Sequence, residues 1–120
     1  MLPRKNRLTK KIDYERVIRK GASFSFGEIS LKFLKNAEGI AKIGFLVGKK
    51  SGRKPSARNA IKRKLRHLFL KELKNIKPGF DIVVFCRYYE KEGKKFELEK
   101  HQVEKLLEKS QLLKNKIKNV

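Results

Sequence analysis

The chain has 120 residues, with 33 Lys and Arg against 12 Asp and Glu, for a formal net charge of +21. That length suffices to bury a core as one domain, and such a charge calls for a polyanionic partner through counterion release, with nucleic acid the leading class. No stretch approaches the ~20 apolar residues of a membrane span, the start MLPRKNR lacks the apolar core of a signal peptide, and the single Cys86 leaves no intrachain disulfide or cysteine zinc cluster, which suits a reducing, cytoplasmic setting.

Residues 1–8 are basic and contain Pro3, and are expected to lie extended against the body. Thr9 is placed to cap a helix over roughly Lys10–Lys20, with Gly21 in the C′ position and an apolar side made by Ile12, Tyr14, Val17 and Ile18. Alternation follows: Ile29, Leu31 and Phe33 point one way, Ser30, Lys32 and Leu34 the other. After a turn at Asn36–Gly39, a second strand alternates Ala41, Ile43, Phe45 and Val47 against Lys42, Gly44 and Leu46, and the two strands read as a hairpin. A short extra strand fits near Phe24–Phe26.

Gly48–Pro55 is a glycine- and lysine-containing loop, but not a Walker A loop. Gly48 and Gly52 are too close together, and no Lys-Ser/Thr pair follows. A helix over about Ala57–Asn75 comes next, with Ile76 packing beyond it, until Pro78-Gly79 breaks the pattern. Phe80–Arg87 is nearly continuously apolar and β-branched, as for a central strand covered on both faces. Tyr88–Lys95 reads as a polar loop and about Phe96–Asn115 as a last helix with Leu98, Val103, Leu106, Leu107 and Leu113 on its stripe; Lys114–Val120 is expected to fray. The order α-β-β-α-β-α indicates an α+β fold, a two-layer sandwich of a small sheet and packed helices, in one domain spanning 1–120.

The helix SARNAIKRKLRHLF (Ser56–Phe69) carries the most information. Ile61, Leu65, Leu68 and Phe69 fall on one side; Arg58, Lys62 and Arg66 form an i, i+4, i+8 ladder, with Asn59 and Arg63 further round the polar flank. Between Glu38 and Glu72 there is no acid. Like charges at i, i+4 repel, and Arg58 in a first turn capped by Ser56 has the wrong sign for the helix dipole. A phosphate on this face removes both costs. The structural alternative, a solvated basic face, does not account for a cation row this dense on an apolar, periodic scaffold.

Catalytic parts are missing. His67 and His101 sit on different predicted helices with no ligand spacing to Cys or carboxylates. Asp13 and Glu15 do not face each other, and the glutamates from Glu90 to Glu108 belong to a charged loop and a solvated face. Asp81, just before the apolar strand, reads as structural, capping a turn or meeting a cation.

The runs GFLVGKK (Gly44–Lys50), ARNAIKRKLR (Ala57–Arg66) and GFDIVVFCR (Gly79–Arg87), preceded by RLTKKIDYERVIRKG (Arg7–Gly21), resemble the bacterial ribonuclease P protein family. Its pattern is R-L-x-x-x-x-D-F-x-x-V-x-x-G, a basic R-N-R-x-K-R-x-x-R signature, then a G-F/Y-D-I/V-V-V strand. Ala60 stands where the signature has its second Arg, and Ile18 and Lys32 stand where some members carry aromatics. The resemblance implies a mixed sheet with a left-handed β-α-β crossover and a subunit that assists an RNA-catalysed, Mg²⁺-dependent removal of the 5′ leader from precursor tRNA. The catalytic RNA and precursor tRNA are then the partners, with no protein partner required and the Mg²⁺ used by the RNA. It also implies that Arg58, Asn59, Lys62, Arg63 and Arg66, with Lys49, Lys50 and Arg53, contact the catalytic RNA, and that Tyr14, Val17, Ile18 and Lys32 line a leader cleft. Stacking plus phosphate attraction suits a single-stranded leader. A ribosomal or chaperone-type RNA binder has the same composition; a DNA-binding module would need a helix-turn-helix or dimer signature, and none is visible.

Overall fold

The computed structural model describes residues 2–48, 55–86 and 100–114. Among them the order is α1 (Lys11–Lys20), β1 (Ala22–Phe26), β2 (Ile29–Lys35), β3 (Lys42–Val47), α2 (Pro55–Glu72), β4 (Phe80–Cys86) and α3 (Lys100–Lys109). The α+β class and the additional short strand match the sequence reading. The predicted loop 88–95, the first turn of the last helix including Leu98, and residues 115–120 lie outside the described residues.

The four strands form one mixed sheet in the order β1-β2-β4-β3. The β1 and β2 strands make the hairpin, through a two-residue turn at Gly27-Glu28. The β2 strand runs antiparallel to β4, and β3 runs parallel to it. The expected hairpin between Ile29–Leu34 and Ala41–Val47 is therefore wrong, because β4 lies between those strands. Two features decide this. A strand as apolar as β4 is most stable with neighbours on both edges, and the β2–β3 connection is anchored to the start of β4. Asn36 N–H donates to the Gly79 carbonyl at 2.8 Å, and Asn36 Nδ2 donates to Ile40 O and Asp81 Oδ1. The loop thus spans two strand spacings, about 9.5 Å, instead of one.

Side-chain alternation along β4 separates two apolar clusters. Ile82, Val84 and Cys86 join Ile29, Leu31, Ile43 and Phe45 beneath α2 and α3, where Leu65, Phe69, Val103, Leu106 and Leu107 are buried. Phe45 and Phe69 meet edge-to-face with centroids 5.5 Å apart. On the opposite face Val83 packs against Val17 of α1 and Leu8, with Tyr14, Leu34 and Phe85 around them.

Several local expectations change. Lys10, not Thr9, occupies the N-cap of α1, with no side-chain cap bond. The chain is still extended up to that point, because Arg7 bridges to Ile43 and Leu8 N–H donates to Ile43 O. Gly21 is the C-cap in an extended conformation, and its N–H donates to Val17 O at 2.7 Å. Ile12 is 67% exposed; it lies about 140° round the helix from Val17, the residue that docks. The N-terminal segment is not wholly extended, since Arg4–Asn6 forms a 3-10 turn. Ser56 is inside α2, not its cap, since the helix begins at Pro55, a residue suited to a first helical position. The last helix ends at Lys109, and Lys114 is tied down by a 2.6 Å bond from its N–H to Asn75 O.

Candidate nucleic-acid interface

The α2 helix turns Leu65, Leu68 and Phe69 into the core, with Ile61 partly buried beside them. The polar side divides in two. Asn59 and Arg63 are exposed, whereas Arg58, Lys62 and Arg66 lie half-buried along the flank. Lys49, Lys50 and Arg53, expected to extend the cation row, fall outside the described residues.

The half-buried flank opens on a hollow of about 330 Å³ at the outer edge of β3, lined by Arg7, Thr9, Tyr14, Gly44, Lys62 and Arg66, among others. Tyr14 reaches it by crossing Gly44, where an added Cβ would lie 2.2 Å from the phenol oxygen. The Phe45 backbone N–H donates to that oxygen. Burial pushes the Tyr14 pKa above the usual tyrosine value, partly countered by the Phe45 N–H and by the Arg66 cation. Sequence reasoning put Tyr14 in one RNA site and Lys62 and Arg66 in another; the fold brings all three to the same hollow. Arg7 opens the R-L-x-x-x-x-D-F run of the resemblance but was not named among the RNA-contacting residues.

The α1 helix crosses the sheet along the row Gly44, Val83 and Lys32, three positions in register on β3, β4 and β2. Tyr14 stands over the first, Val17 is fully buried on the second, and Lys32 Nζ donates to the Ile18 carbonyl at 2.8 Å. Val17 is thus a floor residue with no surface to offer a ligand. Lys32 caps the end of α1, where carbonyls lack helical partners. On one side of α1, the row Leu34, Asp81 and Lys42 is closed by ionic contacts: Arg16 Nη2 lies 3.1 Å from both Asp13 Oδ1 and the buried Asp81 Oδ2. The structural role read for Asp81 is the one it has.

On the other side, the row Ser30, Phe85 and Leu46 is only partly covered, and Ile18 is exposed beside it. This part of the α1 face therefore keeps apolar and aromatic surface in contact with solvent. Phe85 and Leu46 were missed because each sits in an apolar strand that reads as core throughout. The register of β4 was the missing signal: Phe85 shares the face of Val83, not that of Val84.

Among the described residues, no group of three or more His, Cys, Asp or Glu could hold a metal ion. His67 is exposed on α2, and His101 is engaged edge-on with Phe26 at 5.9 Å. No helix among the described residues is long and apolar enough to cross a membrane.

The fold that carries these residues, with its parallel β3–α2–β4 unit, is shared with known proteins. The family described as Ribonuclease P matches residues 2–111. The ribonuclease P protein component of a Pseudanabaena species is 38% identical over 85 residues, covering 70% of this chain and 73% of the relative. That of Dehalococcoides mccartyi (strain CBDB1) is 35% identical over 108 residues, covering 90% and 87%. The solved Staphylococcus aureus RNase P protein superposes with a TM-score of 0.74 at 25% identity, covering 90% of this chain and 97% of that one. With a match over nearly its whole length and this agreement in fold, the chain belongs to the ribonuclease P protein family, the protein components of an endoribonuclease ribonucleoprotein that matures tRNA 5′ ends.

Proposed function

We propose that this chain is the protein subunit of a cytoplasmic ribonuclease P particle, in which it binds the catalytic RNA and the 5′ leader of precursor tRNA while the RNA, with its own Mg²⁺, cleaves the phosphodiester. The α2 face carrying Arg58, Asn59, Lys62, Arg63 and Arg66 docks on the catalytic RNA, and Lys49, Lys50 and Arg53 extend that contact. The leader lies in the cleft beside α1, where Phe85 and Tyr14 offer ring surface, Ile18 and Leu46 offer apolar walls, and Lys32 adds a cation at the rim. Stacking on aromatic rings combined with cations along the backbone is how single strands are held without sequence readout.

The observation that carries this reading is the partly covered Ser30–Phe85–Leu46 row. A partly buried phenylalanine shares this row with the exposed Leu46 on the α1 face of the sheet, and Ile18 of α1 is exposed as well. The test is reconstitution with a bacterial ribonuclease P RNA and precursor tRNA at low Mg²⁺. The expected result is enhanced cleavage at the mature 5′ end; a protein that binds both RNAs and leaves cleavage unchanged is a structured-RNA binder of another kind.

A further inference from the structure

The last residue of α2 is a carboxyl that the fold buries and leaves alone. Glu72 is 8% exposed, yet its side chain makes no hydrogen bond or ion pair among the described residues. It holds the N-cap position of the 3-10 turn Leu73–Asn75 and does not cap it. A buried carboxyl without a partner is costly, and the C-terminal end of a helix favours a cation over an acid.

Glu72 lines a hollow of about 420 Å³ between the ends of α2 and α3. Its frame is fixed, because the chain leaving α2 is laced to the chain leaving α3. Ile76 bridges to Leu113, Lys77 N–H donates to Leu112 O at 2.7 Å, and Lys114 N–H donates to Asn75 O. Glu104 and Glu108, one turn apart on α3, line the same hollow, and like groups at that spacing repel. Glu108 is exposed and has Lys105 at 3.8 Å, whereas Glu104 is half-buried and has no ionic partner among the described residues. Lys71, Lys100 and Lys114 also border the space, but all three are exposed and none pairs with Glu72 or Glu104. The hollow therefore has an acidic floor and a basic rim whose long side chains can turn outward. In a chain of net charge +21, an acidic concavity is the exception.

We infer that this hollow binds an aliphatic polyamine, with one ammonium group donating to Glu72, a second to Glu104, and the methylene chain lying against Leu113. An ammonium is compact and brings three donors, and its bond to a carboxylate is of the strong, charge-assisted kind. A bare divalent ion needs six or more oxygen ligands, and the carboxyls here form no group that could hold a metal ion. The site shares no residue with the proposed RNA contacts and stands whether or not they do.

The experiment is a titration of the full chain, free of RNA, with spermidine at constant ionic strength. The Asn75 and Glu104 amides are followed by NMR, with those of Ser23 and Gly44 as remote controls. The expected result is a saturable shift at Asn75 and Glu104 and none at the controls. Glu72→Gln, which keeps the shape, weakens binding about tenfold or more, and Glu104→Gln about threefold. Glu15→Gln, exposed on α1 across the sheet, leaves it unchanged. A circular-dichroism melt establishes that Glu72→Gln folds; should it not, Glu104→Gln decides, and an unaltered affinity there overturns the site. n-Butylamine, with a single ammonium, binds about tenfold more weakly, and equal affinity overturns the assignment to a polyamine. Mg²⁺ producing the same saturable shifts, or spermidine producing only a linear drift shared with the controls, overturns it too.

Discussion

The phenol oxygen of Tyr14 occupies the space that a side chain at Gly44 would need: an added Cβ would sit 2.2 Å from that oxygen and 2.4 Å from the ring carbon bearing it. The bare backbone at Gly44 is what lets Tyr14 of α1, a helix packed on β2 and β4, extend over β3 toward the Phe45 N–H. Gly44→Ala is therefore expected to destabilise the fold by about 1–3 kcal/mol, as overpacking does. A urea midpoint series checks it. Tyr14→Ala should cost less in the Gly44→Ala background than in the parent, and additive losses would mean that the two positions do not touch.

The Arg16–Asp81 pair ties α1 to the central strand. Asp81 is 1% exposed and has Asn36 as its other side-chain partner. Removing the guanidinium strands a buried carboxylate, so Arg16→Ala is expected to cost about 2–3 kcal/mol, at the lower end for a buried pair because Arg16 itself is partly solvated. Combining it with Asp81→Asn should recover part of the loss in equilibrium unfolding.

Cys86 ends β4 within the core, and burial pushes its thiol up to about 12 from the ordinary value of 9.0. Because only the neutral thiol fits the folded state, stability from this group is intact below pH 9 and declines as pH rises from 9 toward about 12, where the unfolded chain ionises more readily. At pH 8 the native protein should react with a disulfide reagent only at its unfolding rate. Rapid labelling of the folded chain would place the thiol at the surface.

Phe85 should matter to substrate choice more than its strand position suggests. Phe85→Ala is expected to reduce the preference for leader-bearing over mature tRNA by about 1–3 kcal/mol, the range for losing one stacked base. Phe85→Leu, which keeps most of the apolar volume, separates stacking from folding. Equal losses for both RNAs in a binding titration would remove Phe85 from leader contact.

Arg63 projects from the exposed flank of α2. Arg63→Ala is expected to lower the salt dependence of binding to the catalytic RNA by about one unit in the log–log slope, as for one lost phosphate contact. An unchanged slope across 50–200 mM salt would mean this flank faces solvent in the particle.

Periodicity was enough to find the elements and much of the core, because burial imposes a period of two on β2 and β3 and of about 3.6 on α2. It could not find pairing partners. Nothing within Ile29–Val47 announces that β4 will enter between its strands; that depends on Asn36 meeting Gly79 and Asp81, forty-odd residues further on. The same limit applies to the site. The cation ladder is legible because its spacing is local, whereas the meeting of Tyr14 with Lys62 and Arg66 is made by two elements on different faces of the sheet. Phe85 was invisible for the opposite reason: the strand's composition is uniform, and only its register tells a cleft-facing ring from a core one.

The insertion of β4 also sets a timetable for the nascent chain. As translation proceeds, β2 and β3 are both made early and β2 pairs with β1, yet the neighbour that β2 and β3 share is missing until the segment ending at Cys86 has left the ribosome, after all of α2. Until then the β1–β2 hairpin and the lone β3 present unsatisfied edges beside a newly made polycationic helix. Closing long-range pairs is the slow part of folding, so this subunit spends its most vulnerable interval with its cations already displayed amid an abundance of ribosomal RNA.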